Sequence, residues 1–254
     1  MNHRPKRSLG QNFLQDVTIV DQIVSAATIS PGEKIIEIGP GQGALSERLL
    51  SAGGGVTAIE FDRDLAQHLR KRFEMTDRFR VIEADVLSVD LGNVVSGEKV
   101  KVVANLPYNI STPVLQRLID ARKHFSILVL MFQREVVERI TAKPKNSDRG
   151  YLTVLTEMAF EAERLFDVPP TAFYPVPKVW SSVVRLSPKR RLPMESTVKQ
   201  IASQAFAQKR KTLANNLSRH YPVAVDVIRA AGLPDKCRAE ELSLDDWFRL
   251  ATHL

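Results

Sequence analysis

The segment Val103-Ala104-Asn105-Leu106-Pro107-Tyr108 carries residue types that suit a flat heterocycle with an exocyclic amine. A largely apolar run over 100–104 ends abruptly at Asn105, and Pro107 prevents a sheet ladder from continuing, so we predict a buried strand that ends here. Asn105 offers a side-chain carbonyl and an amide, and Tyr108 offers a π face. Taken alone, these residues are equally compatible with an ordinary turn after a strand.

A glycine-rich loop, Gly39-Pro40-Gly41-Gln42-Gly43, lies between a predicted strand and a predicted helix. Glycines there allow the backbone to approach a ligand closely, and the helix N-terminus supplies N–H donors. The pattern Gly39-x-Gly41-x-x-Ala44 also fits a dinucleotide fingerprint, with Glu60 near the position of a carboxylate that holds ribose hydroxyls. The loop by itself therefore does not separate NAD from S-adenosylmethionine.

Three polar residues favour S-adenosylmethionine. Glu37 precedes the first glycine, where we expect it to meet an ammonium group and where it would repel a pyrophosphate. Asp85 ends the third predicted strand and is placed to accept a hydrogen bond from an adenine amine, and Asn105 ends the fourth. Each of these residues, and Glu60, has a structural alternative, such as a turn cap for Asp85 or a surface charge for Glu60. Their order at successive strand ends favours the cofactor interpretation.

Strands and helices alternate through the first part of the chain. Strands are predicted at 34–38, 55–60, 79–83, 101–105 and 125–132, and helices at 16–27, 44–51, 62–73, after 112–113 and at 134–142. This alternation predicts an α/β fold, a mostly parallel sheet with helices on both faces. A proline-rich loop at 168–178 precedes a late strand at 179–186, predicted to be antiparallel at the sheet edge.

Beyond a charged linker the sequence contains only helical patterns, including one helix to Gln208 and another through Leu217. We therefore expect three parts. They are a basic N-terminal arm at 1–15, a Rossmann-like α/β domain at 16–187, and a small all-helical C-terminal domain at 188–254.

Composition excludes several classes of protein. The chain has 254 residues, a net charge of +7 and one cysteine, Cys237, so neither an intrachain disulfide nor a Cys-rich metal cluster can form, and we expect no metal. No signal-like apolar segment follows the basic N-terminus, and no run approaches a membrane span. We expect a soluble cytoplasmic protein, without an exposed apolar stripe to suggest a dimer, that binds polyanions such as nucleic acid.

A series of motifs, each occurring once, is distributed along the chain from end to end. They are Gly10-Gln11-Asn12-Phe13-Leu14, Glu37-Ile38-Gly39-Pro40-Gly41-Gln42-Gly43, Glu60-Phe61-Asp62, Asn105-Leu106-Pro107-Tyr108-Asn109-Ile110-Ser111, Gln133-Arg134-Glu135-Val136, Val168-Pro169-Pro170-Thr171-Ala172-Phe173 and Phe206-Ala207-Gln208-Lys209-Arg210-Lys211-Thr212-Leu213. On these motifs the chain resembles the ribosomal RNA adenine N6,N6-dimethyltransferase family of the KsgA type. The only visible departure, Gly53-Gly54-Gly55, lies away from the expected site.

The resemblance implies a set of cofactor contacts: Asn12 and Leu14 closing over S-adenosylmethionine, Gly39 against its methionine moiety, Glu60 on the ribose, Asp85 on the adenine, and Asn105 at the methyl-transfer site. It also implies the substrate, two adjacent adenosines in the 3′-terminal hairpin of 16S rRNA within the immature 30S subunit. Each would be methylated twice on N6.

An adenine amine is a poor nucleophile. We predict that two hydrogen-bond acceptors of the protein bind its hydrogens and so make the nitrogen more reactive. The Asn105 side-chain oxygen and the Leu106 carbonyl would accept from N6–H, and no dedicated base is needed because a methylated amine is acidic. Tyr108 and Phe173 would stack on a base that has left its helix. The alternative for Phe173 is a core residue beneath a loop.

Two basic clusters are predicted to contact rRNA phosphates: Arg4, Lys6 and Arg7 in the arm, and Lys209, Arg210 and Lys211 on a predicted helix. The alternative is a solvated surface. On a helix, at most two residues of the second cluster would share a face.

Three other functions stay open. An Erm-type methyltransferase of 23S rRNA is the nearest, although Leu106, the segment 109–112 and the basic helical tail favour the small-subunit enzyme. A non-catalytic assembly factor is a second alternative, against which the intact set of Asn105, Tyr108 and Phe173 argues. An NAD-dependent dehydrogenase is the third, and cofactor binding would separate it.

Overall fold

The computed structural model describes residues 5–6, 9–94 and 97–254. Its strands are β1 (Phe13–Leu14), β2 (Lys34–Ile38), β3 (Gly55–Glu60), β4 (Phe79–Glu83), β5 (Val100–Asn105), β6 (Phe125–Gln133), β7 (Phe160–Val168), β8 (Phe173–Tyr174) and β9 (Ser181–Pro188). Its helices are α1 (Val17–Ala26), α2 (Ala44–Ser51), α3 (Arg63–Arg72), α4 (Leu91–Val94), α5 (Ser111–Asp120), α6 (Arg134–Ile140), α7 (Tyr151–Ala159), α8 (Glu195–Ala205), α9 (Leu213–Leu217), α10 (Ala224–Ala230) and α11 (Leu244–Ala251).

Seven strands form the main sheet, in the order β4-β3-β2-β5-β6-β9-β7. The pairs from β4 to β6 are parallel, and β6 pairs with β9 antiparallel. The chain moves outward from β2 to β3 and β4 and then returns to β5 on the other side of β2. Ligands bind at such a reversal, outside the carboxyl ends of the strands. The topology therefore locates a binding cleft beyond β2 and β5.

The central strands read as nearly continuous apolar runs because helices cover both faces of a parallel sheet. Val102, Val103 and Ala104 of β5 are all fully buried. Lys101 is also buried in this strand, and its ammonium donates to the Thr28 carbonyl at 2.6 Å and to Glu33 at 2.6 Å. The mixed sheet and the C-terminal helices confirm the predicted fold class.

The late strand occupies a different place from the one we predicted. β9 is antiparallel, as expected, but it lies between β6 and β7 and is not at the edge. Its pattern explains this position, since Val183, Val184 and Leu186 are all fully buried, whereas an edge strand normally carries polar residues. The edge is β7, which has exposed residues such as Glu161 and Arg164.

The chain divides into two compact units. The first comprises Met1–Val137 and Glu163–Pro188, and the second comprises Glu138–Ala162 and Lys189–Leu254. One boundary between the units follows Pro188, and the segment 138–162 groups with the C-terminal helices instead of with the sheet. Most of α7 is buried, and α7 packs against α8 and α11 within the second unit.

The second basic cluster is not helical, contrary to the prediction. α8 ends at Ala205, and Thr212 caps α9 by accepting from the Asn215 N–H, so Lys209, Arg210 and Lys211 lie in the turn between them. The buried Asn216 fixes this turn, because its amide donates to the carbonyls of Ala205 at 2.7 Å and Gln208 at 3.1 Å. We expected at most two of these cations to share one face of a helix. Because they lie in a turn, that restriction does not apply to these three exposed residues.

Candidate active site

A cleft with a cavity of about 250 Å³ opens beyond the carboxyl ends of β2, β3, β4 and β5. Its walls are the last residues of these strands and the loops that follow them, together with the N-terminal arm: residues 9–14, 38–42, 44, 45, 59–61, 65, 84–86 and 105–110. Every one of these residues belongs to the first unit. Asn12, Leu14, Gly39, Glu60, Asp85, Asn105, Leu106 and Tyr108, eight of the residues predicted from the sequence, line this cleft.

The glycine-rich loop turns from β2 into α2 through left-handed conformations. Gly39 has φ of +66° and Gly41 has φ of +57°, values that residues other than glycine rarely adopt. A Cβ at Gly41 would lie 3.0 Å from Cδ1 of Phe13, tighter than ordinary contact. The loop therefore needs glycine both for its backbone conformation and for the close approach of the arm.

Glu60 ends β3 with both carboxylate oxygens held by backbone donors. Oε2 accepts from the Gly41 N–H at 3.2 Å, and Oε1 accepts from the Asp62 N–H at 2.8 Å. Burial raises the pKa of Glu60, while the backbone hydrogen bonds from Asp62 and Gly41 oppose this rise. The carboxylate is fixed at the cleft wall, and each oxygen keeps a lone pair for a hydroxyl donor.

Asp85 follows β4 and serves a turn as well as the cleft. Its Oδ1 accepts from the Leu87 N–H at 2.8 Å, which is the turn-cap role weighed as the alternative. Among the described residues no donor reaches Oδ2, and the side chain is exposed at the cleft wall. The two roles are compatible, because one oxygen fixes the side chain and the other can accept from a ligand amine.

Asn105 ends β5, and the arm orients its amide. Its Nδ2 donates to the Asn12 carbonyl at 3.4 Å, and only the nitrogen end of the amide can make this bond. Oδ1 therefore points away from the arm. Neither Oδ1 nor the neighbouring Leu106 carbonyl accepts a hydrogen bond from the described part of the chain. The strand end thus presents two acceptors that the protein itself leaves unfilled.

The two predicted stacking residues lie in different places. Tyr108 lines the cleft, half-buried, and its hydroxyl lies 2.8 Å from the Ser181 Oγ; burial raises the pKa of Tyr108. Phe173 is only 3% exposed, packs in the hydrophobic core and is not among the lining residues. The core role that was weighed as the alternative is the one in which the structure places Phe173.

The N-terminal arm crosses the cleft through a short antiparallel pair, in which Phe13 faces Tyr174 and Leu14 faces Phe173. Leu14 is 6% exposed and lines the cleft, and Asn12 sits beside it with its amide on the Gly10 carbonyl at 3.2 Å. No local sequence pattern indicates this pairing, since the partners are far apart along the chain.

Lys6, predicted to contact RNA, has intramolecular partners instead. Its ammonium donates to Asp62 at 2.8 Å and to Asp64 at 2.7 Å, and these hydrogen bonds, Asp62 first, raise the pKa of Lys6. Gln11 adds a bond to Asp62 at 2.9 Å. Burial alone would raise the pKa of Asp62, but the bonds from Lys6 and Gln11 hold it below its ordinary value. We call these four residues the arm latch. Arg4 and Arg7 lie outside the described residues.

Glu37 does not line the cleft, contrary to the prediction. It is fully buried, its Oε2 accepts from the Ser46 hydroxyl at 2.6 Å, and its Oε1 has no partner. Burial raises the pKa of Glu37 to about 8, so the group holds its proton at neutral pH. Its residue type suggested a charge at the cleft, but alternation along β2 turns the side chain into the protein.

Phe61 is a cleft residue that the sequence argument did not assign a role. Its side chain is 61% exposed and lines the cavity next to Glu60. The available signal was an aromatic residue directly after Glu60, the carboxylate predicted to bind a ribose. Among the described residues no cluster of His, Cys, Asp or Glu could hold a metal ion, and no helix is long and apolar enough to cross a membrane.

These residues fit S-adenosylmethionine. The glycine-rich loop, which has no room for further side chains at Gly41, faces the fixed carboxylate of Glu60. Next to Glu60, the exposed ring of Phe61 offers a flat surface on which a purine can stack. The sheet order and this cleft together define the class of Rossmann-like S-adenosylmethionine-dependent methyltransferases.

Comparisons with known proteins narrow the class. The sequence matches the family described as ribosomal RNA adenine dimethylase over residues 2–254. It is 40% identical over 259 residues to the ribosomal RNA small subunit methyltransferase A of Hahella chejuensis, which covers 100% of this chain and 94% of that protein. It is 42% identical over 257 residues to the same-named protein of Methylococcus capsulatus, covering 100% and 99%.

Two solved structures are similar along nearly their whole length. A dimethyladenosine transferase from Plasmodium falciparum has a TM-score of 0.80 at 27% identity, covering 94% of this chain and 95% of that one. The 23S rRNA methyltransferase ErmE has a TM-score of 0.73 at 26% identity, covering 96% and 99%. The chain belongs to the ribosomal RNA adenine dimethylase family. It is an S-adenosylmethionine-dependent enzyme, as the sequence predicted.

Proposed function

We propose that this enzyme dimethylates N6 of two adjacent adenosines in the 3′-terminal hairpin of 16S rRNA, during maturation of the small ribosomal subunit. The observation that carries the chemistry is the pair of unfilled acceptors at the end of β5, the Asn105 Oδ1 and the Leu106 carbonyl. The choice of substrate rests on the small-subunit methyltransferases that are 40–42% identical to this chain along its whole length.

The two acceptors would bind the N6 hydrogens of the target adenine and direct the nitrogen lone pair at the methyl group. S-adenosylmethionine supplies an activated methyl group on a sulfonium. The two acceptors would hold N6 in line for transfer of this methyl group, and the methylated amine would then release its proton to water. Positioning is the main task of the protein, which explains why the cleft needs no dedicated base.

The remaining cleft residues would hold the two reactants. Glu60 would accept from the ribose hydroxyls and the Oδ2 of Asp85 from the cofactor adenine amine. Gly39 would lie along the methionine moiety, with Asn12 and Leu14 closing over it. Tyr108 would stack on the target base with its hydroxyl anchored on Ser181. Stacking of this kind contributes about 1–3 kcal/mol per base.

The Erm-type function, methylation of 23S rRNA, is the second candidate because ErmE shares the fold. Its lower identity of 26%, against 40–42% for the small-subunit proteins, makes it the weaker one. The alternatives of a non-catalytic factor and a dehydrogenase lose their support with membership of a methyltransferase family.

The test is methyl transfer from labelled S-adenosylmethionine into small subunits that lack the modification, followed by nucleoside analysis. We expect N6,N6-dimethyladenosine in 16S rRNA, none with large subunits, and about 10²-fold slower formation with Asn105→Ala. Label in 23S rRNA would instead assign the Erm-type function. Cofactor binding without transfer to either subunit would contradict both.

A further inference from the structure

An exposed aromatic patch lies at the rim of the first unit and has no role in the chemistry above. Tyr174 is 57% exposed, Val176 61%, Val179 41% and Trp180 45%, all within one short proline-containing segment. Single exposed apolar residues are ordinary, but a cluster that includes an indole and a phenol marks a binding surface. We call these four residues, with Arg134, the rim patch.

Trp180 lies at the same edge of the sheet as the methyl-transfer site. In register, Asn105 faces Met131 of β6, and Met131 faces Val183 of β9, so Trp180 is two strands, about 10 Å, to the side and just beyond the strand ends. The next residue, Ser181, holds the Tyr108 hydroxyl at 2.8 Å. The indole is therefore tied through one backbone step to the residue that would stack on the target base.

Positively charged side chains are found near the Trp180 indole in space or in sequence. The Arg134 N–H donates to the Trp180 carbonyl at 2.9 Å, and its guanidinium carbon lies 5.9 Å from the ring centroid. Lys178 is exposed in the same segment. Aromatic faces interleaved with cations bind single-stranded nucleic acid, because the rings stack on bases while the cations meet phosphates. A protein partner would not require this charge.

We propose that the rim patch is a second base-stacking site, in which Trp180 receives an unpaired rRNA base that neighbours the target adenosine. The site would position the RNA strand while the target base enters the cleft. This inference rests on the proposed function, since it assigns a specificity role to residues outside the methyl-transfer site.

The first experiment measures steady-state methylation of unmodified small subunits by Trp180→Ala and Trp180→Phe. We expect Trp180→Ala to raise KM for the subunit by about 5- to 150-fold, with kcat and cofactor affinity unchanged. Trp180→Phe keeps a stacking ring and should restore most of this loss. Met75→Ala, at a residue that is 94% exposed on the first unit, is the matched control and should have no effect.

The second experiment measures the fluorescence of the Trp180 indole. The chain has two tryptophans, and Trp247 is fully buried, so quenching by an added polymer reports Trp180. We expect oligoadenylate to quench the fluorescence, an abasic oligonucleotide of equal length not to quench it, and Trp180→Phe to abolish the response.

The outcomes separate the two proposals. Wild-type label in 16S rRNA together with an unchanged KM for Trp180→Ala would overturn the stacking site and leave the proposed function intact. A raised KM without quenching by oligoadenylate would assign the patch to a ribosomal protein and also overturn it. Wild type that labels no small-subunit rRNA would overturn the proposed function and this inference together.

Discussion

Asn105 has a fixed amide orientation because its nitrogen is engaged by the Asn12 carbonyl. A carboxamide free to flip would present a donor to the substrate amine half of the time, and a donor facing an amine is unproductive. In the proposed function the arm would therefore contribute to catalysis through one carbonyl, in addition to closing over the cofactor.

This arrangement predicts the effect of replacing Asn105. Asn105→Ala removes the acceptor and should lower kcat by about 10²-fold, since loss of orientation at a reacting centre costs this much. Rapid-quench methylation of small subunits would measure it, with Asn93→Ala at an exposed position of α4 as the matched control. An unchanged kcat would show that the Leu106 carbonyl suffices alone.

A second prediction at the residue scale concerns Glu37, whose pKa burial raises from its ordinary value of 4.5 to about 8. The unfolded chain releases this proton above pH 4.5, whereas the folded protein keeps it to about pH 8. The free energy of unfolding should therefore fall as pH rises through this window, by up to about 1.4 kcal/mol per pH unit.

Glu37→Gln keeps an acceptor for the Ser46 hydroxyl but does not titrate. Its thermal stability relative to wild type should increase between pH 5 and pH 8, as scanning calorimetry at several pH values would measure. Glu74→Gln, at an exposed position, should show no such trend. A constant difference between Glu37→Gln and wild type would contradict protonation of Glu37.

At the scale of elements, the arm latch connects the arm to the start of α3. Asp62 caps α3 by accepting from the Asp64 N–H, while its own N–H donates to Glu60. The bonds of Lys6 and Gln11 to Asp62 therefore connect the arm to Glu60, the carboxylate proposed to bind the ribose.

We expect Lys6→Met to weaken cofactor affinity a few-fold, because Asn12 and Leu14 would no longer be held over the cleft. Isothermal titration with S-adenosylmethionine would measure it. Lys71→Met, an exposed lysine of α3, is the control for lost charge. Equal effects of the two variants would mean that Lys6 acts only as a surface charge.

Local signals predicted the elements well and their long-range partners poorly. The bounds of β2, β3 and β4 agree with the prediction because glycine, proline and acidic residues punctuate them. The place of β9 and the pairing of the arm depend on partners distant in sequence. Phe173 illustrates the same limit, since a conspicuous aromatic residue in a loop motif gives no sign that an arm will cover it.

At the scale of the whole molecule, the net charge of +7 favours rRNA, but only particular cations are free to meet phosphates. Lys6 is engaged in the arm latch, whereas Lys209, Arg210 and Lys211 are exposed in a turn whose backbone is fixed. We propose that the second cluster provides the salt-dependent part of rRNA binding.

Replacing Lys209, Arg210 and Lys211 together with glutamine should weaken rRNA affinity. It should also reduce the slope of log affinity against log salt by up to about 0.7–0.9 per lost phosphate contact. Filter binding over a range of salt concentrations would measure the slope. Lys236→Gln, exposed in the same unit, should leave it unchanged. A slope unaffected by the triple change would exclude phosphate contacts from this turn.

The antiparallel pair of β1 and β8 joins Phe13–Leu14 to Phe173–Tyr174. During synthesis the arm leaves the ribosome before its strand partner, which emerges only after residues 34–133 have supplied every parallel strand of the sheet. While the sheet forms, β1 of the arm therefore has no strand partner. A nascent chain released before Tyr174 would have the strand-end residues of the cleft but no partner for the arm, so competence to hold cofactor should appear late in translation.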